Sequence, residues 1–255
     1  MKLIHSNIIG QGNINLLILH GFLGMGDNWK SFASKFSKLG FKVHLLDQRN
    51  HGRSFWDKKF NYKILAEDIY NYINYHKIIN PLVLGHSMGG KTAMTVACNF
   101  PGIIKKIIIA DIVPKKYNSS HQEILKGLSS LDFEKLKNRN SIDFELSKFV
   151  HERPIRQFLL KNLYWRSKEK FALRLNIDVL KNQFEKISEL PNLSLQFKGQ
   201  SLFLFGENSQ YYNSDDDIII RNIFPNAKIV LIGKASHWIH VENPDDFSKE
   251  ILDWI

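Results

Sequence analysis

The strongest constraint on the fold is an alternation of short apolar segments with longer amphipathic segments from residue 14 onward. Apolar runs such as INLLILHG, FKVHLLD, PLVLG and IKKIIIAD have the length and composition of buried strands. The segments between them, for example YKILAEDIYNYINYHKI, have the apolar spacing of helices. Strands and helices in alternation favour a parallel sheet that is covered by helices on both faces. The predicted fold class is therefore α/β with a mostly parallel central sheet.

The alternation stops in the middle of the chain. Between residues 115 and 190, the segments SSHQEILKGLSSL, SIDFELSKFVHE, PIRQFLLKNLYW and NIDVLKNQFEKISEL all have helical spacing, and no strand is predicted. Two strands then follow, and NPDDFSKEILDWI closes the chain as a helix with Asn243 as its N-cap and Pro244 at its first position. We therefore predict a core of residues 1–114 and 191–255 and a helical lid of residues 115–190, over the carboxyl ends of the strands.

Composition excludes several classes of protein. Hydrophobic residues make up 44% of the chain and charged residues 24%, which is typical of a soluble globular protein. The net charge is +10, but the basic residues are scattered, so we predict no nucleic-acid partner. No apolar run approaches membrane-spanning length, and the first residues do not have the pattern of a signal peptide. The single Cys98 is expected to be buried in a helix, which suits a reducing, cytoplasmic location.

One short motif combines a strand, a sharp turn and a helix. GHSMG, residues 85–89, matches the pattern G-x-S-x-G, and a predicted strand precedes it and a predicted helix follows it. The flanking glycines remove side chains that would collide in so sharp a reversal of the chain. Ser87 would then present its hydroxyl at the tip of the turn, beside the N–H groups that begin the helix. A plain connecting turn is the alternative, but motif and context together favour a nucleophile.

A nucleophilic serine requires a base, and the base requires a carboxylate that orients it. With this motif the chain order is serine, acid, histidine. His237 is the candidate base because it follows the last strand after a short loop, and His240 is expected to support that loop. Asp111, at the end of the strand IKKIIIAD, and Glu207, in the loop after a later strand, are the candidate acids. Asp111 is favoured because a short carboxylate at a strand end is better fixed than one in a loop.

The oxyanion donors can also be predicted from the motif. A glycine-containing loop, LHGFLG, follows the first long strand, and in this arrangement such a loop supplies one donor. We expect the backbone N–H groups of Phe22 and Met88 to be the two donors. The Phe22 side chain would line the acyl pocket or pack in the core.

A second polar cluster, DQRNHGRS, follows another strand. Its Asp47 and His51 could form a second catalytic pair, but a hydrogen-bonded loop that braces its neighbours is the favoured interpretation. The chain contains no spacing typical of a metal or nucleotide site. We therefore predict no cofactor and no metal.

Taken in order, LHGFLGMGDNW, DQRNHGRS, LGHSMGGKTAM, IADIVP and SHWIHVENP resemble the alpha/beta hydrolase superfamily, and within it a branch of bacterial acyl-CoA esterases with mitochondrial relatives. The resemblance spans nearly the whole chain. It implies hydrolysis of acyl esters and thioesters, including acyl-CoA, without a cofactor. It also implies that the acid corresponds to Asp111 rather than Glu207. Ser236 stands where the family has a glycine before the histidine, a difference expected to stiffen the histidine loop.

The expected function is that of a cytoplasmic serine esterase or thioesterase that acts on a small acyl ester through a Ser87–His237–Asp111 triad, as a monomer or small homo-oligomer. The lysines of the predicted lid would suit an anionic leaving group such as CoA, although a solvated basic surface is the simpler explanation. Two alternatives remain from the sequence. The same residues serve a cofactor-free lyase of the menaquinone-synthesis type or a carbon–carbon hydrolase, and the fold can also host a small-molecule receptor without turnover.

Overall fold

The protein is described by a computed structural model that covers residues 2–117 and 121–255. The strands within this part of the chain are β1 (Ser6–Ile9), β2 (Ile14–Leu19), β3 (Phe41–Leu46), β4 (Leu82–His86), β5 (Lys106–Ala110), β6 (Leu163–Ser167), β7 (Lys170–Leu173), β8 (Gln200–Gly206) and β9 (Ala227–Ile232). A short 3-10 helix, Gly26–Trp29, precedes the first α-helix. The α-helices are α1 (Lys30–Ser37), α2 (Tyr62–Tyr75), α3 (Met88–Asn99), α4 (His121–Ser129), α5 (Arg139–Ser147), α6 (Arg153–Leu160), α7 (Ile177–Asn182), α8 (Phe184–Ser188), α9 (Asp216–Ile223), α10 (Ile239–Glu242) and α11 (Pro244–Trp254).

The central sheet has the strand order β1-β3-β2-β4-β5-β8-β9. The first strand pairs antiparallel with β3, and the other pairs are parallel. The prediction of an α/β fold with a mostly parallel sheet is confirmed. The sequence analysis assigned no strand before residue 14, so β1 is an addition; it is four residues long and lies at the edge of the sheet, where it lacks the continuous apolar run of a central strand.

The strands bury side chains on both faces of the sheet. Alternate residues of β2, such as Leu17 and Leu19, pack with helices α2, α3 and α9, whereas Leu16 and Ile18 pack with α1 and α11. Burial on both faces explains why these strands have nearly continuous apolar sequences. The carboxyl ends of the parallel strands consequently meet at one edge, where the loops after them lie close together.

The segment between β5 and β8 differs from the sequence prediction in one respect. The prediction that residues 115–190 contain no strand is wrong, because β6 and β7 form an antiparallel hairpin within this segment. Trp165 stacks on Phe171 across the hairpin at 3.8 Å, but Trp165 itself is exposed. With so few buried side chains, the two short strands have no apolar period that sequence analysis could detect. Ser119 and Ser120, where the first helix of this segment was predicted to begin, lie outside the described residues.

A third apolar cluster joins this segment to the carboxyl edge of the sheet. Leu125, Leu146 and Leu180 from the segment pack in one cluster with Leu23, which follows β2, and Met88, which begins α3. The segment therefore covers the edge at which the loops after β2 and β4 meet. Among the described residues, no helix combines the length and apolar character needed to cross a membrane.

Candidate active site

Ser87 occupies the sharp turn between β4 and α3. Its backbone has φ 53° and ψ −117°, a conformation that residues other than glycine rarely adopt. The Ser87 N–H donates to the carbonyl oxygen of Ala110 at 3.0 Å. A Cβ atom on Gly85 would overlap the Gly89 carbonyl oxygen, so this turn requires glycine at that position. The neighbouring strand and the close helix hold the strained turn, and Ser87 lines a cavity at the carboxyl edge.

The histidine and the aspartate predicted from the sequence lie in direct contact. His237 Nδ1 is 2.7 Å from Asp111 Oδ2. Asp111 is completely buried directly after β5, and its Oδ1 accepts a hydrogen bond from the Gly206 N–H at 3.0 Å. With Nδ1–H donating to the carboxylate, Nε2 is the ring atom left to accept a proton. Among the described residues, no hydrogen bond joins the Ser87 hydroxyl to His237; such contacts commonly tighten only when substrate binds.

The loop after β8 positions this pair without supplying an acid of its own. The Ser209 hydroxyl donates to Asp111 Oδ2 at 2.6 Å and accepts a hydrogen bond from the Tyr211 N–H at 3.1 Å. The Tyr211 ring stacks on the His237 ring, with 4.0 Å between centroids and 17° between planes. The carboxylate and the imidazole are thus each held by the same short loop.

Glu207, the alternative acid, lies elsewhere. Its Oε2 accepts a hydrogen bond from the Lys234 N–H at 3.1 Å, and the side chain is exposed. The carboxylate in contact with the His237 ring belongs to Asp111. Glu207 instead connects the loop after β8 to the start of the loop that carries His237.

Phe22 and Met88, the two predicted oxyanion donors, have backbone N–H groups without an acceptor in the described part of the chain. The N–H groups of residues 23–26 all donate hydrogen bonds, whereas among the described residues neither Phe22 N–H nor Met88 N–H donates one. Phe22 and Met88 line the same cavity as Ser87. Met88 is the first residue of α3, where the helix dipole is positive. An oxygen bound beside Ser87 would therefore find two donors available.

The polar cluster after β3 braces the loop that carries Phe22. Asp47 accepts hydrogen bonds from the Gly26 N–H at 2.7 Å and the Arg53 N–H at 2.8 Å. His51 Nε2 accepts from the Leu23 N–H at 3.2 Å. Burial lowers the pKa of His51 to about 3, so this imidazole is neutral and can act as an acceptor. Asp47 and His51 both bond to this loop, as the favoured interpretation of the cluster requires.

The histidine loop is fixed from three sides. The Ser236 N–H and hydroxyl both donate to the carboxylate of Glu242 in α10, the hydroxyl at 2.8 Å. His86 Nε2–H donates to the His237 carbonyl oxygen at 2.9 Å, and burial lowers the pKa of His86 to about 3. The His240 ring stacks on Trp29 at 3.9 Å. Ser236 stands where the branch that the sequence resembles has glycine, and its hydroxyl adds a hydrogen bond that holds the loop.

The cavity beside Ser87 is small, about 40 Å³. The core contributes Phe22, Met88 and Ile112 to its wall, and the segment above contributes His121, Phe184 and Ile187. A volume of this size holds only a few water molecules.

The most unusual residue of the cavity wall is Lys91, one helical turn after Ser87 on α3. Only 2% of Lys91 is exposed, and its Nζ donates to the carbonyl oxygens of Ser188 at 3.3 Å and Glu189 at 2.7 Å. Among the described residues it forms no salt bridge. Burial lowers its pKa to about 7. The ring centroids of Tyr62 and Tyr117 lie 5.6 and 5.0 Å from its Nζ atom.

The sequence analysis did not identify Lys91, Ser209 or Tyr211 as site residues. The sequence did contain a signal for Lys91. This lysine lies inside MGGKTAMTVAC, a helix whose other residues are small or apolar, which is typical of a helix buried on every side. The signal for Ser209 was the loop GENSQY, where the commoner acid is absent. The stacking of Tyr211 on His237 is a tertiary contact that no local pattern indicates.

The fold and this site together define a class. A mostly parallel sheet, a strained serine turn after β4 and a histidine after the last strand are the framework of an alpha/beta hydrolase. Residues 14–244 match the sequence profile of the family described as alpha/beta hydrolase fold. The chain belongs to this family.

The chain is also similar to individual proteins whose names state an activity. The chain is 34% identical over 255 residues to the sn-1-specific diacylglycerol lipase ABHD11 of Danio rerio, with 96% of this chain and 80% of the relative covered. It is 29% identical to the esterase YbfF of Escherichia coli, with 96% and 94% covered. A solved structure named marine microorganism esterase superimposes with a TM-score of 0.96 at 35% identity and full coverage of both chains. These relatives are esterases or lipases.

Proposed function

We propose that the protein is a serine esterase that hydrolyses acyl esters through an acyl-enzyme on Ser87. The observation that carries the proposal is the 2.7 Å contact between His237 and the buried Asp111, at the strand edge where Ser87 occupies its strained turn. Family membership and the esterase and lipase relatives support the same reaction class.

In the first half of the reaction, His237 Nε2 takes the proton of the Ser87 hydroxyl as the oxygen attacks the ester carbonyl carbon. Asp111 holds the imidazole in the required tautomer and stabilises the imidazolium that forms. The carbonyl oxygen becomes an oxyanion and accepts hydrogen bonds from the N–H groups of Phe22 and Met88. When the tetrahedral intermediate collapses, the carbon–oxygen bond to the leaving alcohol breaks, and His237 gives it the proton.

In the second half, water repeats the sequence on the acyl-enzyme. His237 removes a proton from water, the hydroxide attacks the acyl carbon, and Ser87 leaves with a proton from the imidazolium. The products are a carboxylic acid and the free enzyme. Every group needed for these steps is a side chain or backbone N–H of the chain itself.

The alcohol or thiol side of the substrate is a finer part of the proposal. The small cavity suits a short acyl group, with the leaving group directed outward. A net charge of +10 would attract an anionic leaving group, and the proposed range therefore includes thioesters of CoA as well as small esters. The buried, single Cys98 is compatible with a reducing compartment, for which we propose the cytoplasm.

The direct test is hydrolysis of p-nitrophenyl esters with acyl chains of increasing length, with the native protein beside Ser87→Ala. We expect turnover with the native protein and a loss of about 10⁴-fold or more in kcat for the variant. Ser34→Ala, an exposed serine on α1, is the matched control and should retain native activity. Turnover that survives in Ser87→Ala, or a folded native protein with no ester turnover, would contradict the proposal; the latter result would favour the lyase or receptor alternative.

A further inference from the structure

The proposed mechanism leaves one charged group of the cavity unused. Lys91 is almost fully buried, and a buried ammonium group is costly unless a counter-charge or full hydrogen bonding compensates it. Among the described residues, its hydrogen-bond partners are the carbonyl oxygens of Ser188 and Glu189, which account for two of its three N–H groups. No carboxylate of the described chain lies within salt-bridge distance. A methionine or leucine would fill this position at lower cost if packing were its only role.

A second polar atom of the same cavity is also unsatisfied. His121 Nδ1 is buried and, among the described residues, has no hydrogen-bond partner. His121 and Lys91 line the cavity together with Ser87, whereas Phe22, Met88 and Phe184 supply apolar walls. Apolar walls with a few convergent polar groups are characteristic of a small-molecule site. The missing partner of these groups would be an oxygen of a bound molecule.

We propose that Lys91 is a specificity-determining residue that binds a carboxylate at the far end of the acyl group, so that the preferred substrates are monoesters of short dicarboxylic acids. This inference rests on the proposed esterase function. The acyl carbonyl lies at Ser87, the apolar walls contact the methylene groups, and the terminal carboxylate pairs with the Lys91 ammonium. The carboxylate supplies the counter-charge that the described residues do not provide at this point.

The dimensions favour short chains. The Lys91 N–H donates to the Ser87 carbonyl oxygen at 3.1 Å, so the two residues lie one helical turn, about 5.4 Å, apart, and both line the cavity. A chain with about two or three methylene groups between its two carbonyl carbons spans such a distance.

The titratable groups around Lys91 allow a clean pH test. Tyr62 faces it from α2, Tyr117 from the loop after β5 and His121 from α4, and the carboxylate of Glu189 is exposed to solvent. Burial raises the pKa of both tyrosines and lowers the pKa of His121 to about 4, so all three remain neutral near neutral pH. Burial lowers the pKa of Lys91 to about 7, and its charge is therefore lost as the pH rises through neutrality. His237 acts equally on any ester and cancels in a ratio of two substrates.

The experiment compares matched substrates. Monoethyl succinate and monoethyl glutarate are paired with ethyl 4-methylpentanoate and ethyl 5-methylhexanoate, in which an isopropyl group replaces the carboxylate. For the native protein we expect kcat/KM at about pH 6 to be at least about tenfold higher for the monoester of each pair, and the ratio to fall as the pH is raised to about 8. The effect should lie mainly in KM, because the contact exists before and during the reaction.

Variants of Lys91 test whether this residue causes the preference for the monoester. Lys91→Met keeps the side-chain length without the charge and should lower the ratio by about tenfold to hundredfold, through a higher KM for the monoester. Lys91→Arg keeps the charge and should retain the preference for the monoester. Lys126→Met removes an exposed lysine of α4 that pairs with Glu123, and it should leave the ratio unchanged.

The result that overturns the inference is a native protein that prefers the isopropyl ester, or a ratio that is the same in Lys91→Met as in the native protein. If Lys91→Met does not fold, the native ratio, its pH dependence and Lys91→Arg still decide the question. Failure of the esterase function looks different, because neither member of any pair would then be hydrolysed and Ser87 would not be labelled by a fluorophosphonate. A preference that disappears in Lys126→Met would also contradict the inference, since it would indicate long-range attraction.

Discussion

The two walls of the cavity are built in different ways. On the core side, Ser87 follows β4, Asp111 follows β5 and the Phe22 loop follows β2, and backbone hydrogen bonds between neighbouring strands fix where each residue emerges. On the opposite side, His121 and Phe184 lie on short helices of a segment that is held by apolar packing and by a few hydrogen bonds, such as that from the Tyr62 hydroxyl to the Ile187 carbonyl oxygen. We therefore propose that the core wall carries the chemistry and, through Lys91, the preference for a charged acyl group, whereas the other wall limits the length of the acyl group.

The core wall should be intolerant of small chemical changes. Asp111→Asn preserves the shape of the side chain but donates from its amide to His237 Nδ1 and so favours the wrong tautomer. We expect kcat for p-nitrophenyl esters to fall by about 10⁴-fold. The matched control is Glu207→Gln, the alternative acid of the sequence analysis, which should stay within about threefold of native activity. Equal losses in the two variants, with both proteins folded by circular dichroism, would remove Asp111 from its proposed role.

Ser209 should show a smaller effect of the same kind. Removing its hydroxyl in Ser209→Ala takes away the 2.6 Å hydrogen bond to Asp111 Oδ2. A hydrogen bond to a charged group contributes about 1.5–3 kcal/mol, so we expect kcat to fall by about tenfold to hundredfold with little change in KM. Ser209→Thr keeps the hydroxyl and should restore most of the activity. A loss seen in KM alone would contradict a positioning role for Ser209.

Substitutions in the wall above the core should change which acyl chain length is preferred rather than the rate of the chemical step. Phe184→Ala enlarges the cavity, and we expect the preferred p-nitrophenyl acyl chain to lengthen, with the ratio of hexanoate to acetate turnover rising about fivefold. Phe144→Ala is the control, because that phenylalanine lies in the same segment but is 65% exposed. If Phe184→Ala lowered turnover of all esters by the same factor, this wall would serve the chemistry as well.

Lys91 also has a consequence for stability, the smallest effect of the set. Its pKa falls from 10.5 to about 7 on burial, so between these values the unfolded chain holds a proton that the folded protein has released. The free energy of unfolding should therefore rise with pH across this window. We expect the melting temperature of the native protein to rise, between pH 7 and about pH 9.5, by a few degrees more than that of Lys91→Met. Parallel curves for the two proteins would show that burial does not lower the pKa of Lys91.

The contrast between the core wall and the wall above it also explains which features could be predicted from the sequence. The parallel strands, the serine turn and the helix that starts at Asn243 and Pro244 follow from local patterns: apolar runs, glycine spacing and capping residues. The contact between His237 and Asp111 also follows from topology, because Asp111 comes directly after β5 and His237 follows β9 after a short loop, and the two strands belong to one sheet.

The remainder depends on tertiary contacts. The hairpin of β6 and β7 was missed because Trp165 is exposed although it lies in a strand. Ser209 contacts Asp111, which lies 98 residues earlier in the chain, and Tyr211 contacts His237. Contacts between such distant residues leave no periodic pattern in the local sequence. Lys91 was indicated by the small and apolar residues around it in MGGKTAMTVAC, but its contacts with the Ser188 and Glu189 carbonyl oxygens are tertiary contacts.

The most direct test of the account is to trap the acyl-enzyme. The native protein would be mixed with p-nitrophenyl acetate, quenched in acid within the first turnovers and analysed by peptide mass spectrometry. The account predicts one acetyl group on the peptide that carries Ser87, and none in Ser87→Ala. An acetyl group on Lys91 or His237 instead, or rapid ester turnover with no acylated peptide, would contradict a mechanism centred on Ser87.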